Sequence, residues 1–346
     1  MSKNSSIETD VVVVGYGLAG AISAITAHDA GAKVLLVEKL PAPGGNSLLA
    51  GGAISWSKNI EDGMNYLRAL SGGRVEEASI EFMAKGMAGI PDYIQNLADA
   101  VGAVSVEMDT PFVFYPFPGR DSFRLTRVLG FKDQEDVRDA FQIADYRKRK
   151  DSTRRGGLRL MNMIFRHVEQ RNIEVMLSTS AKRLIPNSEG RMVKVIAEKG
   201  NQEIVIKANK AVILACGGFE FSDWLLKQYC EIQPLYGTGC KGCTGDGILM
   251  SQKAGAALWH MWLIHGSYGF KFPEFDYAFR IPFGGALNPK EPVKVAWILV
   301  NKSGERFMNE CPPFVQGAYR DMESMNCDYL STSSGLPEFS NIPCYM

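Results

Sequence analysis

Three glycines near the N-terminus have the spacing of a phosphate-binding turn. Gly15, Gly17 and Gly20 form a G-x-G-x-x-G sequence directly after four valines, which suit a strand buried on both faces. Gly15 permits a tight turn, Gly17 lets a pyrophosphate approach the backbone, and Gly20 lets the next helix pack against the strand. Leu18 and Ala19 open that helix, whose N-terminal N–H groups and dipole favour a bound anion. The spacing therefore predicts a dinucleotide phosphate site.

An acidic residue completes this unit. Residues 34–37 form a second apolar run, which Glu38 ends and Lys39 follows. A carboxylate at that position can accept hydrogen bonds from the hydroxyl groups of a ribose. A glycine-rich turn without a ligand is the alternative interpretation. The order of strand, glycines, helix, strand and acid within about thirty residues favours a βαβ dinucleotide-binding unit.

Two glycine pairs follow Glu38. Gly44-Gly45-Asn46-Ser47 and Gly51-Gly52 let the backbone pass close to a large flat cofactor without Cβ clashes. Residues 211–219, A-V-I-L-A-C-G-G-F, form another apolar strand that runs into a Gly-Gly turn. Together these segments resemble the two-dinucleotide flavoproteins, which implies FAD as the cofactor. In that resemblance Cys216 takes the position of a threonine.

Composition indicates a soluble enzyme. The 346 residues suffice for two domains, and 46% of them are hydrophobic with a formal net charge of zero. Without a basic excess we expect neither nucleic acid nor an anionic membrane as a partner. We also expect no membrane-spanning segment, because no apolar run approaches about 18 residues. We also expect no signal peptide, because the first predicted strand begins close to the start of the sequence.

Cysteine usage predicts a reducing compartment. Seven cysteines are scattered over the chain, which favours free thiols and a cytoplasmic location. Cys240 and Cys243 form a C-x-x-C sequence without a second pair at zinc-binding spacing, so no metal site is predicted. We interpret this sequence as a loop with two free thiols, with a redox or metal role as the alternative.

Two further motifs lie in the second half of the chain. These are T-G-D-G at residues 244–247 and V-N-x-x-G-x-R-F-x-N-E at residues 300–310. With them the chain resembles the FAD-binding type 2 family of soluble fumarate reductases, urocanate reductases and 3-ketosteroid dehydrogenases. The resemblance implies that a hydride moves between flavin N5 and a C–C bond next to a carbonyl. The residues predicted to hold FAD are Gly15, Gly17, Leu18, Ala19, Gly20, Glu38, Lys39, Gly44, Gly45, Asn46, Ser47, Gly51, Gly52, Ala181, Gly217 and Asp246.

The predicted fold class is α/β. We expect a Rossmann-like FAD-binding domain with a parallel sheet and a β-meander over residues 1–258, and an incomplete α+β capping domain over residues 259–346. Apolar spacing predicts helices within residues 60–104, with Met83 among the buried positions, and over residues 156–171. The runs 174–179, 192–199 and 203–207 are predicted to form the meander.

The resemblance also suggests the catalytic groups. His265 falls where fumarate reductases place a substrate-binding histidine, although a structural histidine fits equally well. Ketosteroid dehydrogenases carry a catalytic tyrosine, and fumarate reductases a proton-donating arginine, where this chain has Phe314. Because phenylalanine can exchange no proton, Tyr319 and Arg320 are the nearby candidates for proton transfer.

Three interpretations of function stay open. The first is a ketosteroid dehydrogenase-like enzyme that acts on an enone or ketone. The second is a reductase of small unsaturated carboxylates, for which Arg280, Lys290 and Lys294 would supply cations. The third is a catalytically silent FAD-binding fragment, because the family continues into a G-G-L-Y-A-A-G-E type segment that this sequence lacks. The expected partners are a small-molecule substrate, an unidentified electron donor or acceptor, and a second chain that supplies the missing segment.

Overall fold

The computed structural model describes residues 5–108, 117–132, 156–230, 234–259, 261, 269–280 and 303–305. The described helices are α1 (Leu18–Asp29), α2 (Gly45–Leu49), α3 (Ile60–Ser71), α4 (Glu77–Ala88), α5 (Ile90–Ala100), α6 (Gly156–Gln170), α7 (Asp223–Tyr229) and α8 (Asp246–Lys253). The described strands are β1 (Ser5–Val14), β2 (Val34–Val37), β3 (Ala53–Ser57), β4 (Ala103–Met108), β5 (Phe123–Phe131), β6 (Glu174–Met176), β7 (Thr179–Pro186), β8 (Met192–Lys199), β9 (Gln202–Leu214), β10 (Gly269–Phe270) and β11 (Phe279–Arg280).

A six-stranded mixed sheet forms the centre of the protein, in the order β6-β2-β1-β9-β8-β7. Strands β6, β2, β1 and β9 pair in parallel, and β9, β8 and β7 pair antiparallel. Side chains of β1 alternate between the two faces: Val11 and Val13 pack with α1 and α6, whereas Val12 and Val14 pack on the meander side. The α/β fold with a parallel sheet and a meander is confirmed.

The composition of the meander differs from the prediction. The run that starts at Glu174 does not join it, because β6 pairs in parallel with β2 at the opposite edge of the sheet. Its place is taken by β7, and β9 continues unbroken through residues 208–210. This single strand of 13 residues is antiparallel to β8 and parallel to β1. Ala208 is buried and no glycine or proline interrupts the segment, so nothing ends the strand there.

A second, three-stranded sheet lies beside the first, in the order β3-β5-β4. Helix α6 packs against β5 and α1 and so joins the two sheets. Helices α3 to α5 lie in the region predicted to be helical. Gly89 separates two of them, because it ends α4 and precedes α5. Met83 was predicted to be buried, but 53% of its surface is exposed because α4 contacts the protein through Ile80 and Ala84.

The start of the predicted capping domain is described in part. Strands β10 and β11 form a short antiparallel pair, and the Ala278 N–H donates to the Gly237 carbonyl at 2.9 Å. Most of residues 295–310 lie outside the described residues. The domain boundary near residue 258 therefore stays a prediction.

Candidate cofactor site

A cleft opens where β1, β2 and β9 end. These strands are parallel, so their carboxyl ends meet at one edge of the sheet, the usual ligand position in such folds. The empty space of the cleft, with the solvent at its open mouth included, is about 920 Å³. The predicted cofactor residues that line it are Gly15, Gly17, Leu18, Ala19, Glu38, Lys39, Gly45, Asn46, Ser47, Ala181, Gly217 and Asp246.

The first glycine turn is shaped by close backbone contacts. Gly15 has a φ of +105°, and a Cβ there would lie 2.3 Å from the Ala215 carbonyl oxygen. A Cβ at Gly20 would lie 1.8 Å from the Gly15 oxygen, so Gly20 contributes to packing and does not line the cleft. At Gly17 the nearest atom to a Cβ would be Ser47 Oγ at 3.4 Å, an ordinary contact. The space beside Gly17 is thus open to a ligand.

The N-terminus of α1 faces this open space. Its N-cap residue is Gly17, which offers no side-chain cap, and the Leu18 N–H donates to Ser47 Oγ at 3.0 Å. Ser47 lies on α2, which Gly44 positions through its N–H bond to the Tyr16 carbonyl at 2.7 Å. The backbone and the dipole of α1 therefore favour an anionic group at this point.

Glu38 is buried at the end of β2 with its carboxylate held by two backbone groups. Its Oε2 accepts from the Tyr16 N–H and its Oε1 from the Leu40 N–H, both at 2.8 Å. Only 8% of the residue is exposed. Each carboxylate oxygen has a further acceptor position, so Glu38 can still accept hydrogen bonds from ligand hydroxyls.

Lys39 connects two distant parts of the cleft. Its Nζ donates to Thr244 Oγ1 and to Asp246 Oδ2, each at 2.7 Å. This ties the end of β2 to the first turn of α8, where Asp246 lies. Thr244 does not cap α8, whose N-cap is Gly245 with a φ of +79°. The T-G-D-G motif thus positions Asp246 at the cleft wall.

The second glycine pair lies elsewhere. Gly51 and Gly52 are not among the residues that line the cleft, and a Cβ at Gly52 would lie 2.1 Å from the Gly156 carbonyl carbon. The Gly157 N–H also donates to the Ala50 carbonyl at 2.9 Å. The close contacts of Gly52 are therefore with the start of α6. Gly44 likewise stays outside the cleft lining, and a Cβ there would meet the Leu48 side chain.

Several cleft residues were missed by sequence reasoning. Cys240, Gly242 and Cys243 form part of the wall, although their C-x-x-C sequence was interpreted as a loop, with a redox or metal role as the alternative, and not as part of the cofactor site. Their proximity to the T-G-D-G motif was the available signal. The resemblance also implied that the segment from residue 178 to Ala181 contacts the adenine, and Thr179, Ser180 and Ala181 line the cleft. The other residues not predicted for the cleft are Val14, Val37, Leu40, Ala215, Cys216 and Met250.

Two cysteine thiols of the cleft, Cys216 and Cys243, are kept neutral. Burial, together with the Asp246 carboxylate, raises the pKa of Cys216 to about 11. Burial and the nearby Glu220 carboxylate raise the pKa of Cys243 to about 12. Cys216, Cys230, Cys240 and Cys243 are free cysteines in the described part of the chain. Within that part, no cluster of three or more His, Cys, Asp or Glu side chains could hold a metal ion.

The predicted catalytic residues are not described. His265, Tyr319 and Arg320 lie outside the described residues, as do Phe314, Lys290 and Lys294. Arg280 ends β11, but the structure does not describe its side chain.

Among the helices that are described, none has the length and apolar character needed to cross a membrane.

The family assignment rests on a match over most of the chain. The FAD binding domain family matches residues 10–319. The chain therefore belongs to this family of FAD-binding proteins, and its cofactor is FAD. The cleft fits that cofactor, because it combines an uncapped helix N-terminus, open space beside Gly17 and a buried carboxylate with acceptor capacity.

Curated relatives include two kinds of oxidoreductase. The chain is 28% identical over 314 residues to an NADH:fumarate oxidoreductase of Klebsiella pneumoniae, an alignment that covers 87% of this chain and 29% of the relative. It is 27% identical over 379 residues to a 3-oxosteroid 1-dehydrogenase of Mycobacterium tuberculosis, covering 90% of this chain and 64% of the relative. The matched part is thus less than two thirds of either relative.

A solved structure shares the fold. The 3-ketosteroid Δ1-dehydrogenase from Sterolibacterium denitrificans superimposes with a TM-score of 0.72 and 21% identity. The match covers 88% of this chain and 63% of that one. It supports a flavoenzyme fold and carries no information on the substrate of this chain.

Proposed function

We propose that the protein is an FAD-dependent oxidoreductase that transfers a hydride between flavin N5 and a C–C bond next to a carbonyl, with an enone or ketone as substrate. The observation that carries the proposal is the cleft at the carboxyl ends of β1, β2 and β9, whose lining includes the N-terminus of α1 and Glu38. When bound, FAD supplies hydride exchange at its ring, and the protein supplies binding, orientation and proton transfer.

The residues of the cleft divide this task. The turn at Gly15 and Gly17 and the N-terminus of α1 bind the pyrophosphate, since they present backbone N–H groups to an anion. Glu38 accepts hydrogen bonds from the ribose, with its carboxylate fixed by the N–H groups of Tyr16 and Leu40. The Lys39–Asp246 ion pair ties the end of β2 to the first turn of α8 in the wall of the cleft. Ala181 contacts the adenine in this proposal, as its position in the family implies.

The substrate class is inferred from relatives and from composition. The 3-oxosteroid 1-dehydrogenase relative and the apolar sequence Pro312-Pro313-Phe314 favour an enone or ketone. In this proposal His265 contacts the substrate, and Tyr319 or Arg320 transfers the proton that accompanies the hydride. A reductase of small unsaturated carboxylates is the second candidate, favoured by the NADH:fumarate oxidoreductase relative.

Partners and location follow from the same reasoning. An external electron donor or acceptor is required because each turnover changes the flavin by two electrons. A second chain that completes the active site belongs to the proposal. The free cysteines of the described residues favour a cytoplasmic location.

Two anaerobic measurements test the proposal on the purified protein loaded with FAD. The first adds a saturated 3-ketosteroid to the oxidised protein, and we expect the visible flavin absorption to bleach, slowly in the isolated chain because the second chain that completes its active site is absent. The second adds fumarate to the dithionite-reduced protein, and we expect no return of absorption. Recovery with fumarate and no bleaching by the ketosteroid would support the carboxylate reductase instead. Absence of both responses with FAD bound would support the silent fragment.

A further inference from the structure

We propose that Cys240 and Cys243 form a thiol–disulfide modification site, and that its oxidation by a low-molecular-weight disulfide weakens FAD binding in the adjoining cleft. The inference rests on the proposed function in one respect, namely that FAD occupies this cleft. Both cysteines line it and both are free.

The backbone holds the two cysteines at a separation that permits a disulfide. The Cys243 N–H donates to the Cys240 carbonyl at 3.0 Å and closes a four-residue turn. Such a turn keeps the first and last Cα atoms within about 7 Å, and disulfides span Cα separations of about 4.4–6.8 Å. The bond can therefore form by side-chain rotation and a small backbone adjustment.

The two sulfurs differ in access. Cys240 is half-buried, whereas Cys243 is buried and shares a hydrogen bond with the Glu220 carboxylate. Cys240 is thus the thiol that an external disulfide can reach, and Cys243 is the thiol that resolves the mixed disulfide. Burial and Glu220 raise the pKa of Cys243 to about 12, so this thiol keeps its proton until it attacks.

The reaction is thiol–disulfide exchange, for which oxidised glutathione is a suitable reagent. The Cys240 thiolate attacks one glutathione sulfur, a glutathione thiolate leaves, and a mixed disulfide forms. Cys243 then attacks the Cys240 sulfur, the second glutathione thiolate leaves, and the Cys243 proton passes by way of Glu220 to that leaving thiolate. The two cysteines lose two electrons and two protons, and one glutathione disulfide becomes two glutathione thiols.

Asn46 couples this pair to the cleft. Its Nδ2 donates to Cys243 Sγ at 3.4 Å and to the Glu220 carboxylate, and its Oδ1 accepts from the Cys240 N–H at 2.6 Å. Asn46 itself lines the cleft beside Ser47, which binds the N-terminus of α1. Moving Cys243 Sγ to bond with Cys240 removes the sulfur from Asn46.

The Gly217 turn provides a second connection. A Cβ at Gly217 would lie 3.1 Å from Cys243 Sγ, so the sulfur packs directly on this turn at the end of β9. Gly217 has a φ of +74° and lines the cleft. A sulfur drawn toward Cys240 leaves this packing position, and the turn loses its support on that side.

Coupling of this kind is reciprocal. If the disulfide weakens FAD binding by some factor, bound FAD must oppose disulfide formation by the same factor. We expect a factor of about ten, which corresponds to 1.4 kcal/mol.

The experiment uses the full chain equilibrated in glutathione buffers of graded redox ratio. Peptide mapping after alkylation identifies the linked cysteines, and quenching of flavin fluorescence gives the FAD dissociation constant at each ratio. We expect a Cys240–Cys243 disulfide, about tenfold weaker FAD binding in the oxidised protein, and a midpoint that FAD shifts by the same factor. In Cys240→Ser the FAD affinity should no longer depend on the redox ratio, and Cys243→Ala should stop at the mixed disulfide of Cys240 with glutathione, whereas Cys230→Ser should respond like the natural chain.

Two results would overturn the inference. One is that both thiols stay open to alkylation in oxidised glutathione, and the other is that the disulfide forms with no change in FAD affinity. Failure of the one premise taken from the proposed function, that FAD occupies this cleft, is recognised separately, because it would appear as absence of FAD binding in the fully reduced protein while the disulfide map is still obtained.

Discussion

Two regions of the molecule combine close-packed glycines with a buried polar side chain, and they use them differently. In the cleft, the space beside Gly17 is open and the Glu38 carboxylate keeps acceptor capacity. Where α6 packs, Gly52 is in close contact with Gly156. The buried His167 of α6 also has a partner on each ring nitrogen, the Leu97 carbonyl at 2.8 Å and Arg171 at 2.9 Å.

The difference shows how to separate a ligand site from protein packing. A glycine pair in the sequence shows only that both positions lack a side chain. The neighbouring atoms in the structure show whether a Cβ there would meet other backbone atoms or whether the space beside the glycine is open to a ligand. In the same way, a buried polar group with an unused acceptor can bind a ligand, whereas one with all partners in place stabilises the fold.

The largest effect is expected at the α6 contact, where Gly51 and Gly52 form a matched pair. Gly52→Ala places a methyl group 2.1 Å from the Gly156 backbone at a φ of +66°. We expect it to lower the free energy of unfolding by about 3 kcal/mol or more, because the methyl group overlaps backbone atoms and not the end of a flexible side chain, and because φ is positive. Gly51 has no atom within 4 Å of a Cβ and no positive φ, so Gly51→Ala should stay within about 0.5 kcal/mol.

Urea titrations of both variants followed by circular dichroism would measure this contrast. Equal stabilities for Gly51→Ala and Gly52→Ala would contradict the assignment of Gly52 to packing. Weaker FAD binding by a stable Gly51→Ala protein would instead support the prediction that Gly51 and Gly52 contribute to the cofactor site.

The next effect is expected at Glu38 and concerns the cofactor. Glu38→Gln removes the charge and one acceptor oxygen and keeps the shape of the side chain. We expect the FAD dissociation constant to rise about 10- to 100-fold, since a hydrogen bond to a charged group contributes about 1.5–3 kcal/mol. Equilibrium dialysis would measure it, with Glu198→Gln on the exposed part of β8 as the control. An unchanged dissociation constant would place the ribose elsewhere.

The local sequence was sufficient to predict the first βαβ unit, because its strands, glycine turn and acidic residue follow one another within one short segment of the chain. Four valines, the G-x-G-x-x-G spacing and Glu38 lie within one short segment, and the structure brings them together as predicted. The wall formed by Cys240 and Cys243 could not be placed in this way, because its contacts with Asn46 cross almost two hundred residues. The position of β6 was predicted wrongly for the same reason, since the sequence of β6 does not indicate which strand it pairs with.

A smaller effect is expected from His167 and depends on pH. Burial lowers the pKa of His167, so the folded protein keeps the imidazole neutral below the unfolded value of about 6.5. The unfolded chain then binds the extra proton, and stability falls as the pH drops from about 6.5 through the lower folded pKa. His167→Gln should remove this slope and cost about 1–2 kcal/mol at neutral pH through its lost hydrogen bond. Unfolding titrations between pH 5 and pH 8 would measure both, and an unaltered slope would assign it to another histidine.

The smallest effect is expected at the exposed end of the same network. Asp29 accepts from Arg171 at 2.7 and 2.9 Å, but its side chain is 48% exposed, so water screens the pair. Asp29→Asn should therefore cost less than about 1 kcal/mol at neutral pH. The Arg171 hydrogen bond lowers the pKa of Asp29, so its contribution is present above the unfolded value of about 3.9 and is lost as the pH falls below it. Stability measured from pH 3 to pH 8 should consequently show a shallower acid slope in Asp29→Asn, since other carboxyl groups with lowered pKa values keep part of it, and should keep the His167 slope near pH 6.5. If Asp29→Asn instead lost the fall in stability near pH 6.5, Arg171 would need the Asp29 carboxylate in order to hold His167 neutral. Asp29, Arg171 and His167 would then act as one coupled network.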